Sequence, residues 1–344
     1  MTLELALWQW LLVFAVSAAA VMGAGTVLAR AGDGIATRTR LGGLFVGMLL
    51  MATATSLPEI VTDASAAAAG APDLSIGDLF GSSMANMAIL AFIDLTARRR
   101  VWPSVELGHA RLGAVAIALT AFVLLSIVSP TGITIGWMGI ESFAVVVIYV
   151  IAAAWIGRSD RSSRKAEAAA KPGEEVLVPV GWGGSSGSLA RDLGIFAAAS
   201  GVILISGPAL AISADGIAKQ TGIAETFIGV TLLAIATSLP ELVASLAAVR
   251  IGAHDLAVGN LFGSNAFNMT VVLWVDLAYT DGPVLQSVSL TQLIPGLGAI
   301  LLMGLAIGAL VSGRATRLRR GEPDALLVIL AYLGLLLLSW VGAS

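Results

Sequence analysis

Ten apolar runs separated by polar loops lie near residues 5–29, 41–69, 74–95, 109–128, 132–156, 192–214, 224–249, 255–279, 288–312 and 324–341. Crossing the hydrocarbon core of a bilayer takes about 20 apolar residues, so the pattern predicts an all-α polytopic membrane protein of ten transmembrane helices. The first run follows Glu4 and has no preceding Lys or Arg. It therefore lacks the basic start of a secretory signal and is expected to be a retained helix. The longest polar stretch, residues 157–190, is rich in Gly, Ser, Lys and Glu. It reads as a linker between residues 1–156 and residues 191–344.

The two halves share one stretch. Residues 52–90 and 234–272 superpose without a gap at an offset of 182 residues and agree at 20 of 39 positions. The matches include Thr55/Thr237, Ser56/Ser238, Pro58/Pro240, Glu59/Glu241, Gly81/Gly263, Ser82/Ser264 and Asn86/Asn268. At the same offset Asp33-Gly-Ile-Ala36 matches Asp215-Gly-Ile-Ala218, and Gly25 matches Gly207. Each half holds five predicted helices, an odd number, so the second must enter the membrane upside down. Inverted repeats of this kind build many secondary transporters, with the substrate near the midplane between broken helices.

Composition agrees with a membrane protein and narrows its chemistry. Hydrophobic residues make up 57% of the chain and charged ones 12%, which excludes a soluble domain. A net charge of -3 offers nothing to a nucleic acid. With no cysteine and two histidines, disulfides, thiolate metal sites and the usual nucleophile–base pairs are absent or poorly supplied, so an enzyme is not expected. Of the 19 Lys and Arg, all but Lys219 fall in the odd-numbered loops. The positive-inside bias places those loops and the linker in the cytoplasm and both termini outside.

The repeated stretch carries the chemistry. Pro58 and Pro240 lie within the second and seventh spans, where a missing N–H and a clashing ring free the carbonyls of Ala54 and Ala236 and break the helix. Glu59 and Glu241 follow at once. Ser82 with Asn86, and Ser264 with Asn268, are four apart and share one face of the third and eighth helices. Carboxylates, hydroxyls, amides and freed carbonyls suit hard cations such as calcium or sodium. Serines and threonines at a proline kink are also common packing devices in membrane helices. An ionised glutamate deep in a bilayer costs at least ~2.5 kcal/mol, which makes Glu59 and Glu241 functional candidates by default.

The paired Thr-Ser-Leu-Pro-Glu motifs, each followed by Gly-Ser and Asn at the same spacing, resemble the alpha-repeats of the calcium/cation antiporter superfamily, within it the sodium/calcium exchangers. The resemblance implies ion ligation by Ala52, Thr55, Ser56, Glu59, Ser82 and Asn86, and by Ala234, Thr237, Ser238, Glu241, Ser264 and Asn268. It also implies that the first and sixth helices slide as a gate. The chain departs from the family in carrying Ala54 and Ala236 before Thr-Ser, where glycine is usual. Asn268 stands where microbial relatives often have aspartate. Asp63 and Asp78 occupy the positions of Ser245 and Asn260 in the second copy. By the predicted topology both aspartates lie on the outer side of the site. Asp63 reads as a stepping stone for cations, a proton site, or a solvated vestibule charge. Glu141, in the fifth span, is a further acid whose partner the sequence leaves open.

The expected activity is antiport of Ca2+ against Na+ by alternating access, in a prokaryotic plasma (inner) membrane. The alternative is a Ca2+/H+ antiporter using the same glutamates. A cation channel would not need two inverted halves. No prosthetic group or obligate protein partner is called for. The expected partners are the transported Ca2+ and Na+ (or H+) and the lipid bilayer.

Overall fold

A computed structural model describes residues 5–38, 56–97, 101, 108–170, 188–250, 254–312 and 323–343. The described residues are helical apart from turns and one two-stranded hairpin, β1 (Thr134–Ile135) with β2 (Met138–Gly139). The helices are α1 (Leu7–Arg38), α2 (Leu57–Ala68), α3 (Pro72–Thr96), α4 (Gly108–Val128), α5 (Ile140–Ala170), α6 (Leu189–Thr221), α7 (Glu225–Thr237), α8 (Leu239–Arg250), α9 (His254–Ala278), α10 (Leu293–Ser312) and α11 (Pro323–Ala343). Eight of them are long and apolar enough to cross a membrane, or nine spans if α7 and α8, bent by 41° at Ser238, count as one. The protein is an integral membrane protein on this evidence. The start of the second predicted span, including Ala52, Ala54 and Thr55, lies outside the described residues.

Burial sorts the helices into centre and rim. The apolar window of α3 is 83% buried and that of α9 67%, against 17% for α5 and α11 and 22% for α1. The rim helices turn large apolar side chains outward, such as Val150, Ile205, Leu330 and Leu337. That is the arrangement required when the solvent on that side is hydrocarbon. The central helices instead carry the polar residues, and α3 alone buries Ser75, Asp78, Ser82, Ser83, Asn86 and Asp94. Phe80 and Phe262, equivalent in the two copies, are the largest fully buried side chains of the main core. A smaller core joins Val21 of α1, Leu74 of α3, Leu210 and Ala214 of α6, and Leu233 of α7.

Glycines set how closely the inner helices approach. A Cβ on Gly77 would meet the carbonyl oxygen of Thr226 at 2.9 Å, and one on Gly81 would meet Cα of Val230 at 2.5 Å. These two glycines, four apart on α3, let its backbone lie against α7, the small-residue device of membrane helix pairs. Gly25 on α1 does the same against Pro240, 2.6 Å from its added Cβ, with Pro58 at 3.6 Å. Thus α1 crosses both proline-started helices at one point, while it runs alongside α6. The fifth predicted span begins later than the sequence pattern suggests, because residues 134–139 turn in the hairpin. Its helix then continues to Ala170, past the apolar part that ends at Arg158.

Candidate ion-binding site

Both prolines sit at the start of a helix. Pro58 and Pro240 each occupy the second position of a helix, α2 and α8, preceded by Ser56 and Ser238 in matching backbone conformations (φ −89°, ψ 5° and φ −85°, ψ 1°). A proline is tolerated there because that N–H has no partner inside the helix. Before the second break the chain also passes through a π-helical turn, Gly229–Leu233. Such turns misalign the carbonyl ladder and occur mostly at functional sites. Nothing in the apolar pattern announced it.

The two copies meet at these proline-started helices. Glu59 and Glu241 are both fully buried and close enough for each charge to act on the other. Among the described residues the carboxylate oxygens of Glu59 have no hydrogen-bond partner. Ser56 Oγ donates to Asn268 Oδ1 at 3.2 Å, and Ser82 Oγ and Thr237 Oγ1 lie 3.2 Å apart, so side chains of the two copies bond directly to each other. Asn86 Nδ2 donates to Asn265 Oδ1 at 2.8 Å, and Asn265 Nδ2 to the Ser83 carbonyl at 3.1 Å. That chain orients the Asn86 amide and leaves its Oδ1 without a partner, as are Oγ of Ser238 and of Ser264. Ser56, Ser82, Asn86, Thr237, Ser238, Ser264 and Asn268 are all buried, and Ala234 is too. Ala52 and Thr55 lie outside the described residues, so their expected part in ligation rests on the family resemblance alone.

Two residues outside the expected set belong to this cluster. Asp78 Oδ1 accepts from Thr237 Oγ1 at 3.1 Å and from Ser82 Oγ at 3.4 Å. Asn265 orders Asn86 as described. The repeat held a signal for both: Asp78 and Asn260, and Ser83 and Asn265, are positions at which the copies disagree beside a shared Gly-Ser. Asp63 is fully buried rather than solvated. Glu141 proves to be structural: its Oε1 accepts from the N–H and the hydroxyl of Thr131, both at 2.7 Å, tying the loop before the hairpin to the first turn of α5. Among the described residues no three His, Asp or Glu side chains converge tightly enough to form a metal cage of their own. An ion held here would draw on hydroxyl, amide and carbonyl oxygens as well as carboxylates, in keeping with a hard cation.

Sequence comparison decides the family. The profile of the sodium/calcium exchanger protein family matches residues 9–157 and 192–341. This chain belongs to the sodium/calcium exchanger family. As an exchanger-family protein it is an antiporter by kinship, and the two matched segments leave out residues 158–191. Among curated relatives, it is 30% identical to the inner membrane protein YrbG of Escherichia coli (strain K12) over 70% of this chain and 71% of that one. It is 27% identical to CaxA of Alkalimonas amylolytica, a protein named as an antiporter, over 87% and 89%. Its fold is similar to that of native YfkE, with a TM-score of 0.66, 17% identity and 95% and 92% coverage. It is also similar to that of the sodium-calcium exchanger NCX_Mj, with a TM-score of 0.59, 20% identity and 95% and 98% coverage.

Proposed function

We propose that this member of the exchanger family moves Ca2+ against Na+ by alternating access, with both ions sharing Glu59 and Glu241. The observation that carries this reading is the meeting of those two glutamates, one from each copy, in a buried cluster of oxygen ligands. Two ionised glutamates without a cation would have to pass through a low-dielectric barrier with a charge of -2, which is prohibitive. One Ca2+ or two Na+ cancel that charge, so the loaded forms switch and the bare form does not. Exchange follows, and leak is suppressed. Ten spans in two inverted halves of five, with α1 and α6 sliding past the rest and both termini outside, complete the proposal. The adjacent packing of α1 and α6, and the meeting of α1 with both proline breaks at Gly25, support that gate.

The test is calcium-45 uptake into proteoliposomes loaded with Na+ and diluted into Na+-free medium, repeated with a pH gradient and no Na+. Uptake that needs internal Na+ is expected. Uptake driven by the pH gradient alone would transfer the same glutamates to Ca2+/H+ exchange.

A further inference from the structure

The internal repeat supplies its own control for one pair of residues. In the second copy Asn260 Nδ2 donates to Ser245 Oγ at 3.2 Å, a neutral pair linking α8 to α9. In the first copy the equivalent positions on α2 and α3 are Asp63 and Asp78, both fully buried. Their carboxyls stand side by side, and each also lies within electrostatic reach of Glu59. A neutral hydrogen-bonded pair has thus become a pair of acids one helical turn from the central glutamate. Among the described residues no basic side chain pairs with Asp63 or Asp78: Lys219 pairs with Asp215, and His109 hydrogen-bonds Asp255.

Unpartnered oxygens point to what is required. Among the described residues both oxygens of Asp63 lack a donor other than the carboxyl of Asp78, although the side chain is fully buried. Oγ of Ser75, three residues before Asp78 on the same face of α3, has no partner among them. The donors Asp78 does have, Thr237 and Ser82, are hydroxyls already within the central cluster. Two adjacent buried carboxylates, with hydroxyl donors on Asp78 and none on Asp63, carry a penalty that a bound cation removes. An all-oxygen set of two carboxylates and nearby hydroxyls matches a hard divalent ion better than a soft metal.

We propose that Asp63 and Asp78 form a second hard-cation site, special to the first copy, that holds a calcium-class divalent ion beside the central one. It deepens the exchange cavity proposed above and rests on that reading. The loaded cavity then holds two divalent ions on four carboxylates, Glu59, Glu241, Asp63 and Asp78. The pair sits on α2 and α3 toward the turn at Ala69–Ala71 that joins them. Under the charge bias that turn faces outside, so the second ion lies on the outer approach to the glutamates.

Equilibrium binding of 45Ca2+ to the purified full chain in Na+-free detergent solution tests this. The wild type is expected to bind two Ca2+ per chain at saturation. The double substitution Asp63→Ser with Asp78→Asn transplants the pair already present in the second copy of the same fold, and is expected to bind one. A wild-type count of one, or an equal count in wild type and double variant, overturns the second site. The wild-type count is decisive even if the variant does not fold. The central reading is tested separately by Glu59→Gln: a count unchanged by that substitution removes the glutamates from the site and leaves the result for Asp63 and Asp78 standing on its own.

Discussion

At the scale of single residues, the deciding fact is that Glu59 and Glu241 are buried together among oxygens that have more acceptor capacity than the protein fills. Under the proposed exchange, removing one charge removes the reason for the cavity to take up a divalent ion. Glu59→Gln and Glu241→Gln are each expected to lower Na+-dependent 45Ca2+ uptake to the level of protein-free liposomes, with normal reconstitution as the control. Asn265 tests a subtler role, since it acts through Asn86 rather than on the ion. Deleting one buried hydrogen bond is worth roughly 1–1.5 kcal/mol, so Asn265→Ala should raise the Ca2+ concentration for half-maximal exchange about tenfold and leave the maximal rate largely intact. Loss of all transport would place Asn265 among the ligands instead.

Between helices, close approach and capping do the positioning. Gly81 lies so near Val230 that an added methyl meets backbone atoms at 2.5 and 2.7 Å, and α3 would have to retreat from α7. Its counterpart Gly263 has only Leu112 Cδ2, at 3.8 Å. Gly81→Ala should therefore cost about 1–3 kcal/mol as an overpacked contact. Gly263→Ala should be neutral or gain up to about 1 kcal/mol from helix propensity. Thermal unfolding of the two variants in one detergent compares them directly. At one end of the bundle Asp276 accepts from the N–H groups of Gly139 and Val284 and from the Ser142 hydroxyl, at 2.8, 2.7 and 2.6 Å. It holds the hairpin and the loop after α9 in one place. Asp276→Ala strands those donors and should lower the unfolding midpoint, at about 1–3 kcal/mol per unsatisfied group, while Ca2+ binding is retained.

For the whole molecule, orientation is the open quantity, and the absence of native cysteine makes it measurable. Arg158→Cys, exposed where the apolar part of α5 ends, should resist a membrane-impermeant maleimide added to intact right-side-out vesicles. Asp281→Cys, exposed in the loop after α9, should react. The reverse pattern would invert the protein and, with it, the side from which Asp63 and Asp78 are reached.

The chain by itself determined the membrane class and the internal repeat, and it singled out Glu59 and Glu241, which the fold buries near each other. Those follow from counts and spacings that survive any folding: runs long enough to span, a proline next to an acid in an apolar run, and a repeat offset that does not drift. It left open the partner of Glu141, the surroundings of Asp63, and the contact between Asp78 and Thr237. Each depends on which faces of different helices meet, and crossing geometry comes from glycine contacts and a π-helical turn that no local pattern encodes. Identical side chains at a fixed offset indicate what the two copies share. Only their packing shows that one copy buries a neutral pair where the other buries two acids, because the penalty on those acids exists only once water has been excluded around them.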